Sequence, residues 1–336
     1  TAEQDFSAYV PKIATTQFAI VTTASRGPCD ERKFIGSEEQ YVNNFGFPST
    51  LHKGSLAAIQ YLRQGNQLTV VRVAGYGENT GVLALRNSGD SADAVILTAT
   101  SSGSWVNGGN GLKVTVEEGS VDSTYKVTLK MGNYVVETFD AVVLDDEDSE
   151  DFITTRMANS AYATAEVQSA QTTLELGTSS FTDGNDGADV TEADVVGIVD
   201  GTHKTGLKLF ADPEEIDVNT LAVPGDSRDG VVSALISTAE SRGDSLALID
   251  PLFGLSVQEI IDWHNGLSNL ADAPAAALNS SYAALYWPYI QTFDSYTNSN
   301  VWSPPSGFAA ATYALTDRDY AQWFAPAGLR RGRLPS

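Results

Sequence analysis

Residues 280–336 close the chain with SSYAALYWPYIQTFDSYTNSNVWSPPSGFAAATYALTDRDYAQWFAPAGLRRGRLPS. Twelve aromatic residues lie between Tyr282 and Phe324, whereas aromatic residues make up 9% of the whole chain. Because aromatic side chains bury large apolar areas, this density predicts a packing surface. The stretch contains no His, no Cys and only three acidic residues, which is not the composition of a catalytic centre. We therefore expect the segment to pack against other structure and not to catalyse a reaction.

The charge of the whole chain is strongly negative. The 336 residues, enough for two or three domains, carry 20 Lys and Arg against 43 Asp and Glu, a net charge of −23. This balance argues against binding of a nucleic-acid backbone, which needs clustered cations. We read the excess acid as a source of solubility that keeps free subunits apart. The acidic run DDEDSED at residues 145–151 is typical of an exposed connection.

The single cysteine and the hydrophobic pattern exclude several other classes. Cys29 has no second cysteine with which to form an intrachain disulfide or a multi-cysteine metal site. No apolar run approaches the roughly 18 residues of a transmembrane helix. The first residues, TAEQDFSAYVPKI, lack the basic and apolar regions of a signal peptide. The sequence therefore predicts neither membrane insertion nor secretion, and a cytosolic assembly compartment fits.

Residues 16–85 and the chain from about residue 172 follow an α/β pattern. In the first part, a strand precedes two helices and a second strand, with Ser37 and Gln40 spaced as in a capping box. In the second part, we expect a short strand, a Gly/Asp loop and a helix capped by Thr191, then a strand at GLKLFADP, residues 206–213. Further helices and a strand ending in LALIDP complete the pattern, which favours a layered α/β core.

Residues 86–171 have a different character. Short segments rich in β-branched residues alternate with Gly, Asn or Ser, and a helix follows at residues 150–163. Their spacing predicts a mostly antiparallel β-sandwich or barrel. We thus predict a multidomain α/β chain with a core of residues 1–85 plus 172–336 and an inserted, protruding β-rich domain at 86–171. A boundary near residues 205–215 would divide the core into two subdomains.

Two glycine-rich loops are candidates for a cofactor or metal site. Gly75-Tyr76-Gly77 follows a strand, but a dinucleotide loop needs a third glycine where Thr80 stands, so we expect no cofactor. The candidate metal ligands are Asp183, Asn185 and Asp186, which offer oxygen atoms of the kind that Ca²⁺ prefers. Their spacing does not match an EF-hand loop, so a turn before a helix is the favoured interpretation.

Catalytic arrangements receive little support from the sequence. The three histidines share no ligand spacing, and Asp262 and His264 lie two residues apart on a predicted helix, facing different sides. We therefore predict that the protein is not an enzyme. The alternative function is a carbohydrate- or receptor-binding β-module on an α/β carrier, supported by Trp105 beside the loop at 107–111.

The closing stretch resembles the contractile tail sheath proteins of bacteriophages and of related contractile injection systems. In that family, a Tyr-rich strand precedes a W-x-P-P loop, an Ala-rich helix ending in a T-D pair, and W-x-x-P-A-G-x-x-R-G. The matching residues are Trp302, Pro304, Pro305, Thr316, Asp317, Trp323, Pro326, Ala327, Gly328, Arg331 and Gly332. Earlier matches are Gly27, Pro28, Phe45, Gly46, Pro48, Gly65, Leu68, Val70, Val71, Arg72 and Val73.

The resemblance implies a structural role without catalysis, cofactor or metal. Family subunits stack as hexameric rings around a tail tube and contract to drive that tube through the host envelope. The implied partners are other sheath subunits, the tube protein and the baseplate. The implied location is the virion tail, after assembly in the bacterial cytoplasm. The variable β-rich insertion would face outward.

The chain departs from the family pattern at both ends. The family's first P-G-[VI] strand is not found, and no tube-proximal domain follows RGRL at residues 331–334. Because the arms that link family subunits lie in those parts, we expect a chain truncated at both ends. We also expect it to be monomeric in dilute solution.

Overall fold

The computed structural model describes residues 16–168, 172–321 and 323–334, which form several sheets flanked by helices. The strands are β1 (Phe18–Thr22), β2 (Arg32–Ile35), β3 (Leu68–Arg72), β4 (Thr80–Arg86), β5 (Asp93–Ser102), β6 (Leu112–Glu118), β7 (Tyr125–Met131), β8 (Tyr134–Val142), β9 (Ala163–Val167), β10 (Gly177–Ser180), β11 (Val199–Asp200), β12 (His203–Lys204), β13 (Thr220–Ala222), β14 (Leu246–Ile249), β15 (Ala283–Leu285), β16 (Ile290–Asp294) and β17 (Ser299–Ser303). The helices are α1 (Glu38–Phe45), α2 (Lys53–Leu62), α3 (Ile153–Met157), α4 (Glu192–Val196), α5 (Asp229–Arg242), α6 (Val257–His264), α7 (Pro305–Asp319) and α8 (Gly328–Arg331). Short 3₁₀ turns occupy Ser104–Val106 and Gly206–Phe210.

The largest sheet has six strands in the order β15-β14-β13-β1-β3-β2. Its first five strands are parallel, and β2 pairs antiparallel with β3 at the edge. Strands β1 and β3 are apolar along most of their length and show no polar alternation, and every residue of both strands is buried. This is the pattern expected of parallel strands that are covered on both faces.

Alternate residues of the parallel strands enter two different hydrophobic clusters. Phe18 and Ile20 of β1 pack with residues of α1, α2 and α7. Ala19 and Val21 pack with residues of α5 and α6 and with the turn Gly206–Phe210. Because successive side chains of a strand point to opposite faces, the helices cover the sheet from both sides.

Small residues let α2 and α7 pack closely. A Cβ atom on Gly307 would lie 2.5 Å from the Cα atom of Ala57 and 2.6 Å from its carbonyl oxygen. Ala310, Ala311 and Ala314 of α7 are also fully buried. The Ala-rich composition of α7 therefore reflects a close helix–helix contact as well as helix propensity.

The β-rich part of the chain contains two antiparallel sheets. One has the order β4-β5-β9, and the other has the order β10-β6-β7-β8. Both contribute to one hydrophobic cluster, in which Leu85 and Leu97 of the first sheet pack with Val114 and Leu129 of the second. The two sheets therefore bury apolar side chains in a shared interior.

Several local predictions were wrong. The segment GLKLF is a 3₁₀ turn and not a strand, and its buried residues Leu207 and Phe210 are three positions apart, on one face of such a turn. The helix expected at residues 150–163 is the five-residue α3, followed by β9. The family's W-x-P-P loop begins inside β17, where Trp302 lies. Edge strand β2 was not predicted.

The helix caps are partly as expected. Thr191 caps α4 in a complete capping box with Asp194. Ser37 accepts a hydrogen bond from the backbone N–H of Gln40, but the Gln40 side chain accepts from Gly36 and does not close a capping box. At the coarser level, the structure is the mixed α/β chain with several sheets that the sequence predicts. Among the described helices, none has the length and apolar character needed to cross a bilayer.

Candidate assembly surface

The closing segment begins at the edge of the six-stranded sheet. Strand β15 adds to β14 in parallel, so residues 283–285 complete that edge. The chain then forms an antiparallel hairpin of β16 and β17 before entering α7, whose buried face lies against α2 and the sheet.

A buried carboxylate holds the start of α7. The N-cap position is Pro304, and it makes no side-chain capping bond. Instead, Asp250 at the end of β14 accepts hydrogen bonds from the Ser306 backbone N–H at 2.8 Å and from its hydroxyl at 2.5 Å. It also accepts from the backbone N–H of Gly225 at 3.0 Å. Asp250 thus supplies from another strand the acceptor that a helix N-terminus normally finds in its own cap.

Burial raises the pKa of Asp250 to about 6, while its three donors and Lys53 act in the opposite direction. The ordinary value is 3.8, so the folded protein binds this proton more tightly than the unfolded chain. The contribution of Asp250 to the free energy of unfolding therefore falls as the pH rises from 3.8 to about 6, and it is constant at higher pH.

This linkage gives a prediction for Asp250→Asn, which removes the ionisable group. We expect the free energy of unfolding of the wild type to fall by up to about 3 kcal/mol relative to the variant between pH 4 and pH 7. Urea denaturation of both proteins at unit pH steps measures this difference. Because all other carboxylates are common to the two proteins, a difference that does not change with pH would show that Asp250 keeps an ordinary pKa.

The aromatic residues of the closing segment are mostly exposed. Of the twelve between Tyr282 and Phe324, Tyr289 and Phe308 are buried in the described structure. The exposed members are Tyr282, Trp287, Phe293, Tyr296, Trp302, Tyr320, Trp323 and Phe324. The sequence predicted a packing surface but not its partner. In the described structure, most of these aromatic side chains are not covered by other residues of the chain.

Three exposed aromatic residues form a surface that we call the aromatic ridge: Phe253, Phe293 and Trp302. The ring of Phe253 lies 5.7 Å from that of Trp302 and 5.1 Å from that of buried Tyr289. Trp302 pairs with Gln291 across the hairpin, so Phe293, two residues along β16, shares its face. The opposite face of the hairpin is the inner one, where Val301 and Ser303 are buried.

The W-x-x-P-A-G-x-x-R-G residues form a second exposed group after α7. Arg331 places its guanidinium 4.9 Å from the ring centre of Phe324 and donates through Nε to the carbonyl of Ala325 at 3.0 Å. Trp323 is 83% exposed beside Phe324. Gly328 begins α8 with a φ of 73°, and Pro326 and Gly332 line a small cavity against α7. These contacts fold the segment on itself and leave Trp323 uncovered.

The other predicted family residues have internal contacts. Asp317 accepts a hydrogen bond from the hydroxyl of Thr16, which fixes α7 to the residues before β1. Phe45 and Pro48 are buried, and Gly46 has a φ of 84° at the end of α1. The hairpin and this region meet where the rings of Phe47 and Tyr296 lie 5.6 Å apart.

Arg72 is 1% exposed at the end of β3. It donates to the carbonyl oxygens of Ala24 at 3.1 Å and Gly27 at 2.7 Å, and to the hydroxyl of Ser102 at 3.3 Å. A planar guanidinium can reach several acceptors in fixed directions, so Arg72 joins the six-stranded sheet to β5.

The remaining candidate residues lie in turns or on the partly buried surface of α6. The side chain of Asn185 accepts from Gly187, and those of Asp183 and Asp186 accept from Thr182 and Ser104. Across the described ranges, no three His, Cys, Asp or Glu side chains could jointly hold a metal ion. The side chain of Asp262 accepts from Gln258, and that of His264 contacts Asn265, so the two do not meet.

Sequence reasoning missed Asp250 and Phe253, two residues important to this surface. The signal for Asp250 was an acid between a buried strand and Pro251, where a carboxylate is costly without donors. Phe253 gave no comparable signal, because its partners Tyr289 and Trp302 are distant in sequence.

Comparison with known proteins gives one sequence relative and clear structural likenesses. No protein-family model matches the chain. The tail sheath protein of Vibrio phage KVP40 is 27% identical over 148 residues, which cover 38% of this chain and 22% of that protein. A sheath tail protein from Listeria innocua superposes with a TM-score of 0.56 at 16% identity, over 91% of this chain and 56% of that chain. A sheath tail protein from Desulfitobacterium hafniense gives a TM-score of 0.54 at 12% identity, over 96% of this chain and 62% of that chain.

The structural likenesses show the fold, and the sequence match adds a likeness to a tail sheath protein over 148 residues. This chain spans less than two thirds of the length of each of these relatives. The two findings agree with the resemblance carried by the closing segment: the chain is similar to tail sheath proteins in fold and, over 38% of its length, in sequence.

Proposed function

We propose that the chain forms the body of a contractile tail sheath subunit, which polymerises as stacked hexameric rings around a tail tube. The observation that carries this proposal is the exposure of eight aromatic residues in the closing segment, of which Phe293 and Trp302 share the aromatic ridge with Phe253. Contiguous exposed apolar surface marks sites of protein–protein contact. In a chain with a net charge of −23, such surface favours association against the repulsion of like charges.

The proposed mechanism is mechanical and involves no catalytic residue. A sheath works if one folded subunit can adopt two packings of different free energy, with the extended packing formed first and the contracted packing more stable. The proposed partners are neighbouring subunits, the tail tube and the baseplate, and the proposed location is the virion tail. The rigid parallel sheet, covered by helices on both faces, would transmit force between these contacts.

We further propose that the β-rich part is a separate domain inserted into the layered α/β core and facing outward. The pairing of β4 with β5 and of β10 with β6 supports wider bounds, about residues 79–188, than the 86–171 expected from sequence. The isolated bridge between Asn79 and Asn185 would close the base of this domain. Its single hydrophobic cluster supports independent packing.

Because we expect the chain itself to be monomeric in dilute solution, the proposal is tested on the assembly of the full-length sheath subunit to which we assign it. We expect negative-stain electron microscopy to show tubes or rings, and expect the double variant Phe253→Ala/Trp302→Ala to lower the assembled fraction about tenfold, since buried aromatic anchors dominate interface energies. Tyr134→Ala, which removes an equally exposed ring from the β-rich part, is the matched control. Absence of ordered assemblies in the wild type would refute the sheath function, and equal assembly of all variants would refute the role of the aromatic ridge.

A further inference from the structure

A cleft of about 610 Å³ lies between the end of α1 and the β-rich sheets, apart from the closing segment. Small-molecule sites have volumes of about 300–1,000 Å³ and walls that are mainly apolar and aromatic. The aromatic residues that line this cleft are Phe47, Trp105, Tyr134 and Tyr162, and Met131 and Val136 add aliphatic surface. The cleft therefore has the size and lining of a ligand site.

The aromatic walls include both exposed and fixed rings. Tyr134 is 82% exposed and Phe47 is 67% exposed, so both are accessible from solvent. Trp105 and Tyr162 are half-buried, with ring centres 6.4 Å apart and planes at 58°. Trp105 donates through its indole N–H to the carbonyl of Ser101 at 3.3 Å, which fixes the orientation of its ring.

One cation lines this apolar cleft. The guanidinium of Arg26 lies 4.9 Å from the ring centre of Tyr162 and 5.8 Å from that of Trp105. It donates to the carbonyl oxygens of Val42 at 3.0 Å and Asn43 at 2.9 Å, in the last turn of α1. Among the ion pairs of the described residues, none includes Arg26. Its charge is thus held by ring faces and by the partial negative charge of a helix C-terminus, without a carboxylate.

We propose that this cleft binds a small amphiphilic anion, a molecule with an apolar ring system and one carboxylate or sulfonate group. The ring system would stack against the aromatic walls, and the anionic group would face Arg26. A carboxylate or sulfonate accepts hydrogen bonds from a guanidinium and compensates its charge. A neutral sugar fits less well, because the walls offer few polar atoms for its hydroxyl groups. The proposal rests on the cleft alone and is independent of the sheath function.

Fluorescence titration with 8-anilinonaphthalene-1-sulfonate, and with its uncharged relative N-phenyl-1-naphthylamine, tests the proposal on the folded chain. We expect the sulfonate to bind with one-to-one stoichiometry and Arg26→Gln to weaken it about tenfold, with less than about a twofold effect on the uncharged probe. Tyr134→Ala should weaken both probes, and its exposed position means that the fold is retained. Trp302→Ala, at the aromatic ridge, is the control and should change neither.

Three outcomes would overturn the proposal. In the first, Arg26→Gln and Tyr134→Ala bind the sulfonate as tightly as the wild type. In the second, Trp302→Ala abolishes binding, which would place the probe on the aromatic ridge. In the third, a neutral oligosaccharide such as maltohexaose binds more tightly than the sulfonate, which would assign the cleft to uncharged sugars.

Discussion

Replacing Arg72 with Met is expected to lower the free energy of unfolding by about 3–5 kcal/mol, enough to unfold a marginally stable domain. Met preserves much of the apolar volume but leaves the carbonyl oxygens of Ala24 and Gly27 without their donor in a buried site. It also removes the contact with Ser102, through which β3 is joined to β5. Urea denaturation followed by circular dichroism measures the loss.

Two further variants show whether this loss comes from the geometry of the guanidinium. Arg72→Lys keeps the charge, but one ammonium cannot reach the same separated acceptors, so we expect it to recover less than half of the lost stability. Arg63→Met removes an arginine whose ion pair with Glu38 spans 3.5 Å at the partly exposed surface. It should change stability by less than about 1 kcal/mol. Equal losses for Arg72→Met and Arg63→Met would mean that the buried network contributes nothing specific.

The parts of the fold that the sequence predicted are those with strong local patterns. The run FAIVT in β1 and the helical spacing of Leu56, Ile59 and Leu62 in α2 each identify an element without knowledge of its partners. The cap of α4 by Thr191 is equally local, because donor and acceptor lie three residues apart. Such signals survive in a single sequence since they depend on neighbours along the chain.

The errors occurred where tertiary contacts decide the local structure. The segment GLKLF alternates apolar and polar residues as a strand does, yet Leu207 and Phe210 pack together beneath the parallel sheet, which a 3₁₀ turn allows. Strand β2 was missed because three of its four residues, in the sequence RKFI, remain accessible at the sheet edge. Edge strands with charged residues lack the apolar pattern that marks central strands.

For the candidate assembly surface, the sequence predicted the residues but not their exposure, because exposure also depends on tertiary contacts. Composition shows that the closing segment is rich in aromatic residues, but it does not show whether their cover belongs to the same chain. Trp302 could have been a core residue, and only its position on the outer face of the hairpin beside Phe253 shows that it is exposed. The acceptor at the start of α7 was hidden too, because Asp250 lies 56 positions before Ser306.

Replacing Gly75 with Ala should destabilise the protein by more than about 3 kcal/mol or prevent folding. A Cβ atom at this position would overlap the carbonyl oxygen of Ala188, and a Cβ atom on Gly187 would in turn overlap the carbonyl oxygen of Gly75. The two chain segments that enter and leave the β-rich part thus cross in direct backbone contact. The hydrogen bond from the Ala188 N–H to the carbonyl of Tyr76, at 3.1 Å, holds that crossing.

The matched control is Gly109→Ala, since a Cβ atom on Gly109 meets nothing within 4 Å and its φ is not in the left-handed region. We expect it to change the midpoint of urea denaturation little, by the equivalent of less than about 0.5 kcal/mol. If Gly75→Ala behaved like Gly109→Ala, the two segments could separate at low cost and the β-rich part would be free to reorient. Loss of stability in Gly75→Ala alone would instead mean that the folded state depends on the close backbone contact between the segments that enter and leave the β-rich part.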